Sequence, residues 1–281
     1  MTILQIIILA IIQGAAELLP VSSSAHVIIA QKLMGLDPSS PEMTFFLVML
    51  HTGTMFAVLL YFWPRWKNLG VFSKNTRMSW IKKLFIATAI TGIVGYGLKF
   101  LIEHFVLAGE TKGEIEALFK NLPMIATALF SAGALILFSS RKDSSNGDLT
   151  EKSALWIGAV QGICIPFRGF SRSGATISTG LIQGVKKSTA EDFSFALAII
   201  LTPPAILHML SRLMKSKAEA QVFDLSHLTP GLLGMVFSFV AGYFALKLLS
   251  NWIEGGKWKY FGFYCWFAAV IVLGVHFTSS N

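Results

Sequence analysis

With 281 residues, of which 54% are hydrophobic and only 14% charged, the chain lacks the polar surface that a soluble domain of this length needs. A mean hydropathy of +0.64 places it among polytopic α-helical membrane proteins. Its net charge of +8 sits mainly in loops between apolar runs, which points to membrane topology and away from nucleic acid.

In chain order, the first apolar run covers 3–19 and stops at Pro20, which three serines follow closely; a second short run covers 23–35. The opening run holds Gln13 and Glu17, so it reads as part of the structural repeat and not as a cleavable signal. Spanning segments are predicted at 43–63, 81–102 and 122–139, each near the 20 or so residues a bilayer requires. The segment 140–152, rich in Ser, Asp, Asn and Gly, is the one clear linker. Short runs return at 153–167 and 171–184, and further spans are predicted at 191–211, 229–249 and 258–277. Pro203-Pro204 is expected to break its helix opposite Thr52-Gly53-Thr54, while Gly92, Gly95 and Gly97 suit close helix contacts. Trp63, Trp66, Trp80, Trp252 and Trp258 lie near segment ends as interfacial anchors would. Cys164 and Cys265 sit in apolar runs without metal-ligand spacing and read as small packing residues.

A short helix pair joined by a polar, proline-containing turn describes a re-entrant hairpin, tolerated at membrane depth only where it is buried in protein or lines a wet cavity. The two pairs are related by a constant offset of 148, which superimposes Gln13 on Gln161, Gly14 on Gly162 and Ser23 on Ser171. The same offset pairs Ile29 with Ile177, Phe45 with Phe193 and Thr54 with Thr202. Three spans separate the hairpins, and an odd number makes the repeat inverted. The expected fold is an all-α polytopic membrane protein of six transmembrane helices plus two re-entrant helix hairpins. Residues 1–139 and 153–281 form the two halves of one integral membrane domain, with 140–152 between them.

Two stretches carry the chemistry. In Gly169-Phe170-Ser171-Arg172-Ser173-Gly174-Ala175-Thr176, one guanidinium, three hydroxyls and flexible backbone gather at a helix start. A helix N-terminus favours an anion, and arginine presents a planar donor fork to phosphate oxygens. An arginine at membrane depth costs about 2.5–3.5 kcal/mol on insertion scales, so Arg172 needs a partner. Arg168 can bind the same anion or face water. In the first hairpin Glu17 lies four residues after Gln13 on one helix face, and Ser22, Ser23 and Ser24 precede His26. A histidine near a hydroxyl and a carboxylate can act as nucleophile or general acid. His51 reads equally as a supporting donor and as a helix–helix hydrogen bond.

These motifs resemble the undecaprenyl-diphosphate phosphatase family (BacA/UppP). The signature of that family pairs a Glu/Gln-Gly-x-x-Glu-Phe-Leu-Pro-Val-Ser-Ser-x-x-His segment, matched here from Gln13 to His26, with a Pro-Gly-x-Ser-Arg-Ser-Gly-x-Thr segment, matched from Gly169 to Thr176. The resemblance implies removal of the terminal phosphate of undecaprenyl diphosphate, which recycles the carrier lipid for peptidoglycan and confers bacitracin resistance on overproduction. It makes Glu17, Ser23, His26 and Arg172 the functional core, with Ser22, Ser171, Ser173 and Thr176 as phosphate ligands and Gln13, Arg168 and His51 beside the substrate. Gln13 stands where many members carry a first glutamate, Arg168 replaces a proline, and His51 takes a common glutamine position. The implied cofactor is a divalent cation, Mg²⁺ or Ca²⁺, with Glu17 as the only carboxylate candidate and no organic cofactor. The implied partners are the polyprenyl diphosphate, the bilayer and bacitracin as a competitor for the substrate, with a homodimer as the expected assembly. Whether His26 or Ser23 attacks phosphorus stays open, and a polyprenyl-phosphate transporter or flippase is the alternative function, since inverted repeats with broken helices also build transporters.

Loop charge sets the expected orientation. Twelve basic residues fall in or beside 64–83, 140–152 and 250–257, against five in 103–121 and 212–228, so the first group is cytoplasmic. Both termini and the site opening are then periplasmic, in the bacterial inner membrane. Single cysteines placed at 70–78 should resist an impermeant thiol reagent in intact cells and react after permeabilisation. Labelling of intact cells would reverse the assignment.

Overall fold

The computed structural model describes residues 1–38, 40–69, 74–106, 121–142, 147–215 and 225–279. Ten α-helices make up these residues, with no β-strand and one isolated bridge between Gly147 and Val185. They are α1 (Ile3–Leu18), α2 (Ser23–Leu33), α3 (Pro41–Asn68), α4 (Lys74–Leu101, extended by a π-helical turn at Ile102–Val106) and α5 (Leu122–Ser139). They continue with α6 (Glu151–Cys164), α7 (Arg172–Ile182), α8 (Lys187–Lys215), α9 (Leu225–Glu254) and α10 (Trp258–Ser279).

Six of these are long and apolar enough to cross a membrane: Pro41–Asn68, Thr76–Phe105, Leu122–Ser139, Lys187–Ser211, Leu228–Glu254 and Trp258–Thr278. Each coincides with an expected span, although α3 and α4 run well into the expected loop at 64–83, of which 70–73 lie outside the described residues. Most of 103–121 and of 212–228, and 143–146 of the linker, lie outside them too.

Local sequence explains where the short helices start and stop. Thr2 and Gln5 close a reciprocal capping box on α1. The helix ends at Leu18 because Leu19 precedes Pro20 and takes extended backbone, with ψ 153°. Thr150 caps α6 by accepting from Ser153 N, and Ser171 caps α7 by accepting from Gly174 N. Ser22, in contrast, makes no capping bond and has a positive φ of 66°.

The helices pack in a crossed pattern. α1 lies on α9 of the other half, and α6 lies on α4; α3 also packs on α9 and α8, and α5 on α10. Two glycines at equivalent places permit the crossed contacts. A Cβ on Gly14 would stand 2.5 Å from Ser238 O, and one on Gly162 would meet Val94 Cβ at 2.7 Å. At the ends of three long helices, Arg65 of α3 pairs at 3.0 Å with both Glu191 and Asp192 of α8. Ser250 of α9 donates to Glu191 at 2.5 Å.

Several expectations change. Pro203 and Pro204 leave α8 unbroken; each lacks the N–H that would bond one turn back, so the helix loses hydrogen bonds without losing its course. Trp66, Trp80 and Trp258 are buried and do not anchor at a lipid interface. Trp66 stacks on Phe62, Trp80 meets Phe193 edge-on, and Trp258 donates to Ser139 Oγ at 2.9 Å. Of the three glycines on α4, Gly95 is a close contact, facing Ile165 just after α6, while Gly92 and Gly97 have open space around them.

Gly14→Ala should lower the unfolding temperature in detergent, because overpacking of this kind costs about 1–3 kcal/mol. Gly92→Ala, in open space, should not lower it. Equal effects would mean that the close approach of α1 to α9 is unimportant.

Candidate functional site

The turn after α1 and the turn before α7 meet. Ser173 Oγ donates to Leu19 O at 3.2 Å, and Cys265 Sγ of α10 donates to Pro20 O at 3.3 Å. Gly174 fits beside Pro20, and Gly169 (φ 103°) lets the backbone close on Ile125 of α5, where a Cβ would stand 2.5 Å from its carbonyl oxygen. These contacts place the N-terminus of α7 against the C-terminus of α1 and the start of α2.

A cavity of about 300 Å³ opens at this junction. Both halves line it: Glu17, Ser23 and His51 on one side, and Arg168, Ser171 and Arg172 on the other. Gln13, Ser22, Ser24, Gln31 and Ser173 add to the polar surface, while Val27, Ile28, Leu47 and Met209 are among the residues that make one part of it apolar.

Glu17 is the hub of this cavity. Arg172 Nη2 donates to its Oε1 at 3.1 Å, and Ser23 Oγ donates to its Oε2 at 2.6 Å. Gln13 Nε2 donates to Oε2 as well, at 3.2 Å. The second Gln13 N–H faces His51 Nε2 at 3.3 Å, while His51 Nδ1 lies 2.8 Å from Leu47 O. Only the neutral tautomer, with the proton on Nδ1, meets both contacts, since Nε2 must accept. His51 therefore supports the amide that holds Glu17, as well as lining the cavity itself.

Arg172 divides its fork. One arm is spent on Glu17, whereas Nη1 is buried and has no hydrogen-bond partner. A guanidinium arm without a partner beside a cavity is suited to an anion. Ser23 bonded to a carboxylate that arginine and glutamine hold in place repeats the logic of an activated nucleophile: hydroxyl, base, and a group that orients the base.

Other expected residues take different places. His26 does not line the cavity; its Nδ1 lies 2.8 Å from Ser22 O and its Nε2 2.7 Å from the Tyr264 hydroxyl, with the two rings stacked. Thr176 is fully buried and bonds Ser194 Oγ at 2.6 Å and Arg172 O at 2.8 Å, which fixes the first turn of α7. Ser171 is buried as the cap, and Ser22 lies within 3.2 Å of Ser24 Oγ. Arg168 is exposed at the rim. Cys164, half-buried, reaches the lining as well.

Sequence reading missed Tyr264 and Gln31. Tyr264 lies 238 positions from His26 and carries no local signal. Gln31 had one, since it continues the face of α2 that begins at Ser23 and Ser24 and runs through Val27.

The donor set does not suit a divalent cation held by protein alone. Glu17 is the only carboxylate in the lining, and both of its oxygens are engaged by Arg172, Ser23 and Gln13. No group of three or more His, Cys, Asp or Glu that could hold a metal occurs among the described residues.

Comparison with known proteins gives a consistent result. The family model described as bacitracin resistance protein BacA matches residues 6–271. "Undecaprenyl-diphosphatase 2" of Acinetobacter baylyi is 53% identical over 97% of this chain and 98% of its own length. "Undecaprenyl-diphosphatase" of Halothermothrix orenii is 32% identical over 97% and 98%, and "Undecaprenyl-diphosphatase 2" of Burkholderia orbicola 34% identical over 96% and 95%.

Arg172→Lys tests the divided fork. A lysine can keep the charge beside Glu17 but cannot also offer a second planar arm, so kcat should fall on the order of 10²–10³-fold with folding intact. Turnover near that of the wild type would show that Arg172 acts only as a point charge.

Proposed function

The chain belongs to the BacA family of bacitracin resistance proteins, and from that premise we infer that it is an integral-membrane phosphatase that hydrolyses undecaprenyl diphosphate to undecaprenyl phosphate and inorganic phosphate. The observation that carries the reading is the Ser23–Glu17–Arg172 array, in which one carboxylate receives a hydroxyl at 2.6 Å and a guanidinium at 3.1 Å inside a shared cavity. A carrier that only moves a lipid phosphate has no use for a hydroxyl poised on a base, so the array favours hydrolysis over transport.

The reaction proceeds by displacement at the terminal phosphorus. Ser23 Oγ passes its proton to Glu17 Oε2 and forms the new P–O bond while the bond to the bridging oxygen breaks, which releases the lipid monophosphate. The free arm of Arg172 stabilises charge on the transferring group, where positioning and electrostatics supply most of the catalysis. Glu17 hands the Ser23 proton to the departing lipid monophosphate, and the carboxylate so restored deprotonates the water that attacks the phosphoserine; as inorganic phosphate leaves, Glu17 returns the proton to Ser23 Oγ. His26 holds the Ser22 carbonyl next to the nucleophile, with Tyr264 fixing its far side. Glu17 would be the one lining carboxylate available to a divalent cation, which would supply charge neutralisation, and Arg172, Ser23 and Gln13 already engage it.

The short helix pairs α1–α2 and α6–α7 are re-entrant hairpins of an inverted repeat in this reading, with 1–139 and 153–281 as its halves. The crossed packing of α1 on α9 and of α6 on α4, and the matching roles of Gly14 and Gly162, support it. The cavity opens to the periplasmic side of the inner membrane, where the spent carrier of peptidoglycan synthesis is returned to its monophosphate. Bacitracin competes for the same diphosphate, so abundant enzyme confers resistance.

The detergent-solubilised protein should release inorganic phosphate from undecaprenyl diphosphate, and Ser23→Ala should lower the rate by about 10³-fold or more. Lipid binding without phosphate release, with or without added Mg²⁺ or Ca²⁺, would favour the transporter instead.

A further inference from the structure

We infer that Gln31, which lies outside both sequence motifs, is a ligand for the lipid-linked phosphate, the one the product keeps; the inference rests on the diphosphate reading above. Gln31 is 1% exposed and lines the reaction cavity, yet its Nε2 is buried without a hydrogen-bond partner. Buried amide donors are almost always paired, so an orphan on a residue that lines a cavity marks a donor for an acceptor that enters with a ligand.

Of the other orphaned buried atoms among the described residues, those of Trp66, Thr88, Gln161 and Asp192 do not share this setting, since none of these residues lines the cavity. For Asp192, the 3.0 Å approach of its Oδ1 to Arg65 is an ion pair without hydrogen-bond alignment. Within the cavity only two residues keep an unused donor of this kind, Arg172 through Nη1 and Gln31 through Nε2.

The position of Gln31 on α2 decides which phosphate it meets. Ser23, Val27 and Gln31 follow one another at single-turn spacing along the cavity face. Helical side chains incline toward the N-terminus, which carries the Gln31 amide back in the direction of Ser23. The terminal phosphorus must sit against Ser23 and Arg172 to be attacked. In-line displacement then puts the leaving phosphate on the side away from Ser23 Oγ. Val27, Ile28 and Leu47, apolar enough for the first isoprene units, line the cavity beside Gln31. An uncharged amide there can hold a phosphate that stays on the lipid without competing with Arg172 for the one that leaves.

The test is binding by the full chain in detergent, followed by the thermal shift that farnesyl monophosphate or inorganic phosphate produces; this readout does not depend on turnover. Gln31→Met keeps the volume and, because the amide has no internal partner, should leave the unfolding temperature of the free protein unchanged. Its Kd for farnesyl monophosphate should rise roughly tenfold or more, the range expected for losing a hydrogen bond to a charged group. Its Kd for inorganic phosphate should stay within about twofold of the wild type. Gln31→Glu, of the same shape, should give the same contrast more strongly through repulsion, and it serves should the methionine variant fold poorly. Unchanged affinity for the monophosphate in either variant overturns the assignment, and so does equal weakening for both ligands. Failure of the wild type to release phosphate from a diphosphate would instead overturn the proposed reaction, which these binding ratios do not depend on.

Discussion

Arg172 of α7 and Glu17 of α1 come within 3.1 Å of one another where their side chains are only 23% and 19% exposed. Charges so far from water are tolerated only when each has partners, and removing one leaves the other stranded. Because the two residues come from opposite halves of the chain, separated by 155 positions, the pair holds only if both halves are docked. The surrounding structure meets that condition. Gly14 lets α1 settle on α9, Ser173 ties α7 to Leu19, and Gly169 lets the turn before α7 close on α5.

The same pair leaves the cavity with groups suited to the proposed reaction. Glu17 could have been neutralised symmetrically by both arms of the guanidinium. Instead one arm is withheld, and the second carboxylate oxygen is given to Ser23 and Gln13. Gln13 is suited to this task where a second carboxylate would not be, because its two N–H groups bridge Glu17 and His51. A glutamate at that position would put two negative charges together and call for a cation or a proton between them. Gln13 and His51 thus complete each other's hydrogen bonding.

Much of this could be read from the residues. The six spans follow from hydropathy alone, and the first short helix pair from Pro20 and the serines that follow it. Glu17 four residues after Gln13 predicted their shared face, and the glycine–hydroxyl cluster marked the start of α7. What escaped depends on contacts that no local pattern encodes. Tyr264 meets His26 only because α10 packs beside α2, and the Ser173–Leu19 bond requires the two turns to be docked. Thr176 and Ser171 read as phosphate ligands by type; Thr176 Oγ1 also bonds Ser194, and Ser171 Oγ also accepts from Gly174 N as the α7 cap while lining the cavity. The tryptophans near segment ends were equally ambiguous, because aromatic rings suit a lipid interface and a protein core alike.

The central claim is that Glu17 and Arg172 act as one unit that activates Ser23 and receives the phosphoryl group. Its most direct measurement is a double-substitution cycle on turnover, with Glu17→Gln, Arg172→Gln and the pair compared in folded, monodisperse protein. Residues that act as a unit are strongly non-additive, so the double variant should be little slower than the worse single one. Rate losses that multiply would mean that the carboxylate and the guanidinium serve separate purposes, and the account built on their contact would fail.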